Sequence, residues 1–237
     1  MRKDLLIPGG KRRFLHSLLL LFLIFLGVPL ILACRGWDKD PLFFQILFLA
    51  VLGGGFFLWE RTGNEPPPLK KIFAFPEQGK RIHFLLFSLL AGIILQLAVF
   101  LLNLFAGKLF TLLHIPFEEQ HLVTFLKTLP PGRICFFFFP VLFLAPLVEE
   151  WVFRHTVYRE AEKEFSPLTA TLWQGGAFAF VHFNAVTFPG LLLLGLFLGW
   201  NVKRCRTLWG GILPHFFFNL AGMILILLER SLLRQPG

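Results

Sequence analysis

Long apolar runs, interrupted by short charged or proline-rich stretches, dominate the chain. A membrane-spanning helix needs about 20 mostly apolar residues. Seven runs are candidates: Phe14 to Ala33, Pro41 to Trp59, Ile82 to Ala106, Ile134 to Phe153, Leu168 to Phe183, Leu191 to Val202, and Trp209 to Leu228. The sixth is short unless it extends to either side. The stretch from Lys108 to Leu129 mixes apolar residues with Pro116, Glu118 and Glu119, and reads as a loop with an interfacial amphipathic helix. The pattern predicts an all-α, polytopic membrane protein of about seven transmembrane helices, with a bundle of four in its C-terminal half. The chain divides near Gly132. Residues 1–132 hold three helices, a cytoplasmic linker containing Pro66-Pro67-Pro68 and the interfacial helix, and residues 133–237 hold four helices with short connections.

Composition agrees with lipid rather than water. Of 237 residues, 56% are hydrophobic and 32 are Phe, more apolar surface than a soluble domain of this size can bury. The net charge of +9 raises the question of nucleic acid. The charges, however, cluster between apolar runs, as juxtamembrane charge does. No basic stripe is interleaved with aromatics, so nucleic acid is excluded as a partner.

One alternating set of connecting segments carries Lys3, Lys11, Arg12 and Arg13, then Arg61, Lys70, Lys71, Lys80 and Arg81, then Arg154, Arg159 and Lys163, then Lys203, Arg204 and Arg206. The other set carries fewer: Arg35 and Lys39, then Lys108, Lys127 and Arg133, then Arg230 and Arg234. The richer set belongs inside. The N-terminus is therefore expected in the cytoplasm, the C-terminus outside, and the membrane is expected to be the plasma (inner) membrane. Ile31-Leu32-Ala33-Cys34 also resembles a lipoprotein signal with a lipidated cysteine, but the run before it is long for a signal peptide, so a retained first helix is expected. Cys34, Cys135 and Cys205 form no CxxC, which argues against a thiolate metal site.

Ionisable groups inside spans are costly and mark function. Gln45, Gln96 and Asn103 read as interhelical glue. The C-terminal half differs. The fourth span ends with Glu149 and Glu150, then Arg154, after Pro146, whose missing N–H should kink the helix. Glu150 and Arg154 have the i, i+4 spacing of a helical ion pair, which leaves Glu149 free to face another helix. A salt-bridge cluster at the interface is the plainer reading. Phe178 and His182 share a face of the fifth span, and His215 and Asn219 share a face of the seventh. Each could be helix glue alone. Together they supply a carboxylate, two imidazoles and a carboxamide, an inventory able to activate water and stabilise an oxyanion.

At these residues the chain resembles the CPBP family, which includes CAAX prenyl endopeptidases and bacteriocin-processing or immunity proteins. The motifs EExxxR, FxxxH and HxxxN/D read here as Glu149-Glu150…Arg154, Phe178…His182 and His215…Asn219. The resemblance covers roughly Ile134 to Leu228. His155 and Cys205-Arg206-Thr207 depart from the usual pattern without touching a motif residue. The resemblance implies an intramembrane endopeptidase acting on a membrane-associated, prenylated or otherwise lipidated protein or peptide. Glu149 would be the general base with His182 assisting, His215 and Asn219 the oxyanion donors, and Glu150, Arg154 and Phe178 the structural support. Metal-free water activation is favoured. If zinc were the cofactor, Glu149, His182 and His215 would hold it, although no HExxH is present. A non-catalytic binding or immunity protein and a proton-coupled transporter are the alternatives.

The depths of Glu149 and His182 pose a geometric question. His182 lies about 15 residues, or roughly 22 Å, up a helix that starts near the cytosol. Either that helix begins in the cytosol, with Ser166-Pro167 as its cap and first turn, or the fourth helix continues past Arg154.

Overall fold

A computed structural model describes residues 9–34, 41–62, 69–117 and 121–233. The Pro66-Pro67-Pro68 linker, Glu118, Glu119, and the basic residues Lys3, Arg35, Lys39 and Arg234 lie outside the described residues. The described residues are helical: α1 (Gly9–Cys34), α2 (Pro41–Arg61), the short α3 (Leu69–Ile72), α4 (Arg81–Leu112), α5 (His121–Thr128), α6 (131–162), α7 (Pro167–Phe180), α8 (Phe188–Cys205) and α9 (Trp209–Leu233). Among the described residues, five helical stretches are long and apolar enough to cross a membrane: Arg12–Cys34, Pro41–Arg61, Gln78–Leu112, Gly132–Glu162 and Trp209–Leu232. These correspond to the first four expected spans and the last. The fifth and sixth expected spans are α7 and α8, which are shorter, at 14 and 18 residues.

Several helix ends differ from expectation, two of them by the largest margins. The third span was expected to stop at Ala106 but its helix runs to Leu112, because Lys108 is itself a good helix former and a single lysine does not end a helix. The amphipathic stretch therefore contributes a helix only from His121 to Thr128. The fourth helix was expected to stop at Phe153 but continues past Arg154 as far as Glu162. The α7 helix starts at Pro167, and the Ser166 hydroxyl accepts the Thr169 N–H at 3.3 Å as its cap. The fourth helix thus continues past Arg154, and Ser166-Pro167 form the cap and first turn of the fifth.

The α6 helix is irregular. Wide π-type turns cover Pro140–Leu144 and Glu150–Val157, separated by regular helix at Ala145–Glu149. Such turns are rare and are frequent at functional sites. They explain how Pro140 and Pro146 are tolerated in a continuous helix: the wide turn redistributes the hydrogen bonds that the two prolines cannot make.

The core centres on α6, α7 and α8. Phe153, Phe178, Leu194 and Leu198 are fully buried there, and Leu52 and Phe56 of α2 join them. Glycines let the helices approach. A Cβ on Gly195 of α8 would stand 3.0 Å from the Gly175 Cα of α7, and a Cβ on Gly92 of α4 would stand 2.6 Å from the Phe217 Cβ of α9. Close approach of this kind is how helices pack where water supplies no driving force. The expected glue residues behave as packing groups instead. Gln96 lies against Gly222 and Asn103 against Gly190, and Gln45 and Asn103 each keep a buried amide oxygen without a hydrogen-bond partner among the described residues.

Ion pairs cluster where α1, α2 and the end of α6 meet. Glu160 accepts Lys163 at 2.8 Å and lies 3.8 Å from Arg13, whose guanidinium covers the Trp59 ring at 4.6 Å. Lys203, beyond α8's apolar run, donates to Glu162 at 2.7 Å and to Tyr158 at 2.6 Å, and these two acceptors raise its pKa above the usual lysine range.

Candidate active site

The three motifs converge. On α6, the Glu150 carboxylate pairs with Arg154 at 3.2 Å, and both side chains are fully buried. This is the expected i, i+4 pair. The same Glu150 oxygen, Oε1, lies 3.0 Å from His215 Nδ1 on α9. A carboxylate accepts only, so with Glu150 ionised Nδ1 carries the proton and the ring is held in one orientation. His215 Nε2 faces the other glutamate, 3.8 Å from Glu149 Oε2. One imidazole thus bridges both acids. Gly211, one turn before His215, makes room: a Cβ there would stand 2.1 Å from Glu150 Oε2.

His182 lies in the turn just past the end of α7 at Phe180, not within a continuous span as expected. The next residue, Phe183, has a left-handed backbone (φ 48°), which turns the chain toward α8. His182 Nδ1 donates to the Phe178 carbonyl at 2.7 Å, leaving Nε2 as the nitrogen with a free lone pair. Its ionisable neighbours are Glu149, His215 and Arg154.

Phe178 is the shared wall. Its ring meets His182 edge-on at 5.0 Å, His215 at 6.0 Å and Phe153 at 5.3 Å, and the Arg154 guanidinium lies over it at 4.4 Å. The cation–π contact and the ion pair together hold a guanidinium that would otherwise be costly to bury. Arg154 also lies 3.4 Å from the Gly195 carbonyl, which accepts Gln174 Nε2 at 3.0 Å.

Asn219 is placed differently from the imidazoles. Its Nδ2 donates to the Val141 carbonyl at 2.8 Å, in the first wide turn of α6. In the register of that turn, Val141 O would accept from residue 146, five positions on. Residue 146 is Pro146, which has no N–H. The Asn219 amide takes its place. A second proline is served in the same way: Pro214 leaves the Gly210 carbonyl without its helical donor, and Asn201 Nδ2 donates there at 2.6 Å.

Several buried polar residues had no signal in the motifs. Asn201, Gln174, Glu60, Thr156 and Glu160 are all at or near zero exposure. A proline four or five residues after an otherwise orphaned carbonyl, with an asparagine on a facing helix, is the cue that would have found Asn201. Among the described residues no three His, Cys, Asp or Glu side chains stand together as a cage for a metal ion.

Residues 130–221 match the family model described as Type II CAAX prenyl endopeptidase Rce1-like. Comparison with curated proteins and with solved structures returned no match. The matched segment contains all three motifs and every residue that meets at Phe178, so the resemblance read from those motifs is to the Rce1-like type II CAAX prenyl endopeptidases.

Proposed function

We propose that the chain is an intramembrane endopeptidase that hydrolyses a peptide bond of a membrane-associated, prenylated or lipidated protein or peptide. The family match supports a CAAX-type membrane protease and favours it over the binding and transport alternatives. The observation that carries the detailed reading is the unequal state of the two glutamates. The Glu150 side chain is fully buried and committed to Arg154 and His215, whereas the Glu149 side chain keeps 18% of its surface and makes no such pair with Arg154. Glu149 is the carboxylate that a water can reach.

Glu149 takes a proton from that water, with the free Nε2 of His182 as its assistant. The hydroxide adds to the scissile carbonyl carbon. His215, as an imidazolium whose Nδ1–H stays on Glu150 and whose Nε2–H is available, and the second N–H of the Asn219 amide donate to the carbonyl oxygen as it becomes negative. The proton is then delivered to the leaving nitrogen, and the products are a carboxylate and an amine. Glu150, Arg154 and Phe178 hold the imidazole and the wall in place. Residues 133–237 form the catalytic region and residues 1–132 a membrane region that packs beside it. The site lies within the plasma (inner) membrane, with the N-terminus in the cytoplasm.

The test is cleavage of a fluorogenic peptide ending in a farnesylated Cys-aliphatic-aliphatic-X sequence, by full-length protein in lipid nanodiscs. Proteomic comparison of membranes carrying wild-type protein or Glu149→Gln runs beside it. Glu149→Gln should stop cleavage in both. Undiminished turnover by Glu149→Gln would remove it as the base.

A further inference from the structure

A carboxylate outside the three motifs is built into the back of the site. Glu60, the penultimate residue of α2, is 2% exposed. It lies outside the segment that matches the family. Its Oε1 accepts a short hydrogen bond from the Thr156 hydroxyl and lies 3.4 Å from His155 Nε2 and 3.6 Å from Arg159 Nη2. Thr156 and His155 belong to the wide turn Glu150–Val157, and Arg159 follows one turn later. Thr156 is fully buried, and its hydroxyl also lies 3.3 Å from the Trp151 carbonyl, five residues back.

That wide turn needs an external hold. An i, i+4 Glu–Arg pair forms equally well in a regular helix, so the Glu150–Arg154 pair does not require it. What the wide turn fixes is where the pair points. Reversion to regular helix shifts the register by one residue and swings the side chains before it by about 100° relative to those after it. Glu150, at the start of the turn, would then leave His215, while Thr156, at its end, stayed with α2. Glu160 is shared by Lys163, Arg159 and Arg13, so three cations stand against it and Glu60 supplies a second counter-charge beside Arg159. Charge balance does not account for its contact with Thr156, a neutral hydroxyl in the wide turn.

We propose that Glu60 is a positioning residue of the active site: acting through Thr156, it holds the Glu150–Val157 turn in register and thereby keeps Glu150 against His215. The catalytic region thus depends on a residue of the N-terminal membrane region. This rests on the proposed hydrolytic reading for its effect on turnover, but not for its effect on geometry.

Two readouts separate these. The first needs no substrate. In full-length protein labelled with ¹⁵N-histidine and held in nanodiscs, the ring signals of His215 are assigned by their loss in His215→Gln. Thr156→Val, which removes the hydroxyl at constant volume, and Glu60→Ala should both move the His215 Nδ1 signal. Thr156→Ser should restore it, and Lys203→Met, which breaks the ion pair between the ends of α6 and α8, should leave it unmoved. The second readout is cleavage of the farnesylated peptide. Thr156→Val should lower kcat by roughly 10²-fold with KM unchanged, the cost of an ångström-scale misplacement, and Thr156→Ser should recover most of it. A His215 signal unmoved in folded Thr156→Val and Glu60→Ala would overturn the proposal. Loss of cleavage in Glu149→Gln beside full kcat in Thr156→Val would also overturn it while leaving the hydrolytic reading intact. Full cleavage by Glu149→Gln would instead remove Glu149 as the base, absence of cleavage by the wild-type protein would sink the hydrolytic reading, and in either case the His215 signal would still decide the role of Glu60.

Discussion

His215 on α9 is tied to α6 through Glu150, at 3.0 Å, rather than through Glu149, at 3.8 Å. The adjacent acids therefore divide the work. One is the anchor of the imidazole and the counter-ion of Arg154, and the other stays accessible beside the free nitrogen of the same ring.

The two glutamine variants should differ accordingly. Glu149→Gln should abolish cleavage and leave thermal stability close to that of wild type. Glu150→Gln should abolish cleavage and also destabilise the protein by about 3–5 kcal/mol, because it leaves a fully buried guanidinium without its charge partner. Arg154→Met should be destabilising for the converse reason. Melting curves in detergent beside the peptide assay check this, and equal stability of the two glutamine variants would count against the division of roles.

The motifs, the Glu150–Arg154 pair and the Ser166 cap were legible in the sequence, because each rests on short-range spacing, and Phe178 and His182 do meet, although across the end of α7 and not on one continuous helix. The partners of Asn219 and Glu60 were not. They lie 78 and 96 residues away in the chain, and Glu60 falls just past the expected end of the second span, in no motif. The wide turns of α6 were hidden for another reason. A proline announces a missing hydrogen bond but not how the helix absorbs it, and here a carboxamide from another helix is part of the answer.

That arrangement makes Asn219 and Pro146 interdependent. Asn219→Ala orphans the Val141 carbonyl and should cost about 1–3 kcal/mol of stability. It should also slow cleavage by roughly 10²–10³ if the amide serves the oxyanion. Adding Pro146→Ala restores a backbone N–H near Val141. The double variant should recover stability toward wild type while cleavage stays low. Recovery of both would make Asn219 a structural residue alone.

Gly211 offers a steric test of the same anchor. Gly211→Ala places a methyl 2.1 Å from Glu150 Oε2, so the carboxylate must leave His215 or the helices must part. A loss of about 1–3 kcal/mol is expected, together with loss of cleavage. Gly176→Ala on α7 meets nothing within 4 Å and should be neutral or slightly stabilising. Comparable Tm losses in the two variants would show that the Glu150 contact is not special.

The orientation follows from charge. Arg12, Arg13, Arg61, Lys70, Lys71, Lys80, Arg81, Lys203, Arg204 and Arg206 sit at one set of helix ends, and this set should face the cytoplasm. A reporter fused to the C-terminus should behave as exported, and one placed before α4 as cytosolic. A cytosolic signal from the C-terminal fusion would reverse the assignment.

The last prediction concerns metal. Each imidazole has its Nδ1 committed, His215 to Glu150 and His182 to the Phe178 carbonyl, so each can offer only Nε2 to a ligand or a proton. In a zinc enzyme those two nitrogens and Glu149 would have to draw together around one ion, at about 2.0–2.2 Å each. Asn219 would have no place among the ligands, since a carboxamide is a poor donor to zinc and a good donor to an oxyanion. We expect purified, active protein to keep its turnover through extended dialysis against a chelator, with substoichiometric metal by elemental analysis. His215→Ala should then lose activity without a change in metal content. Zinc near one equivalent, lost together with activity in chelator and restored with it on readdition, would transfer the water from Glu149 and His182 to the metal and leave Asn219 with its role at Val141.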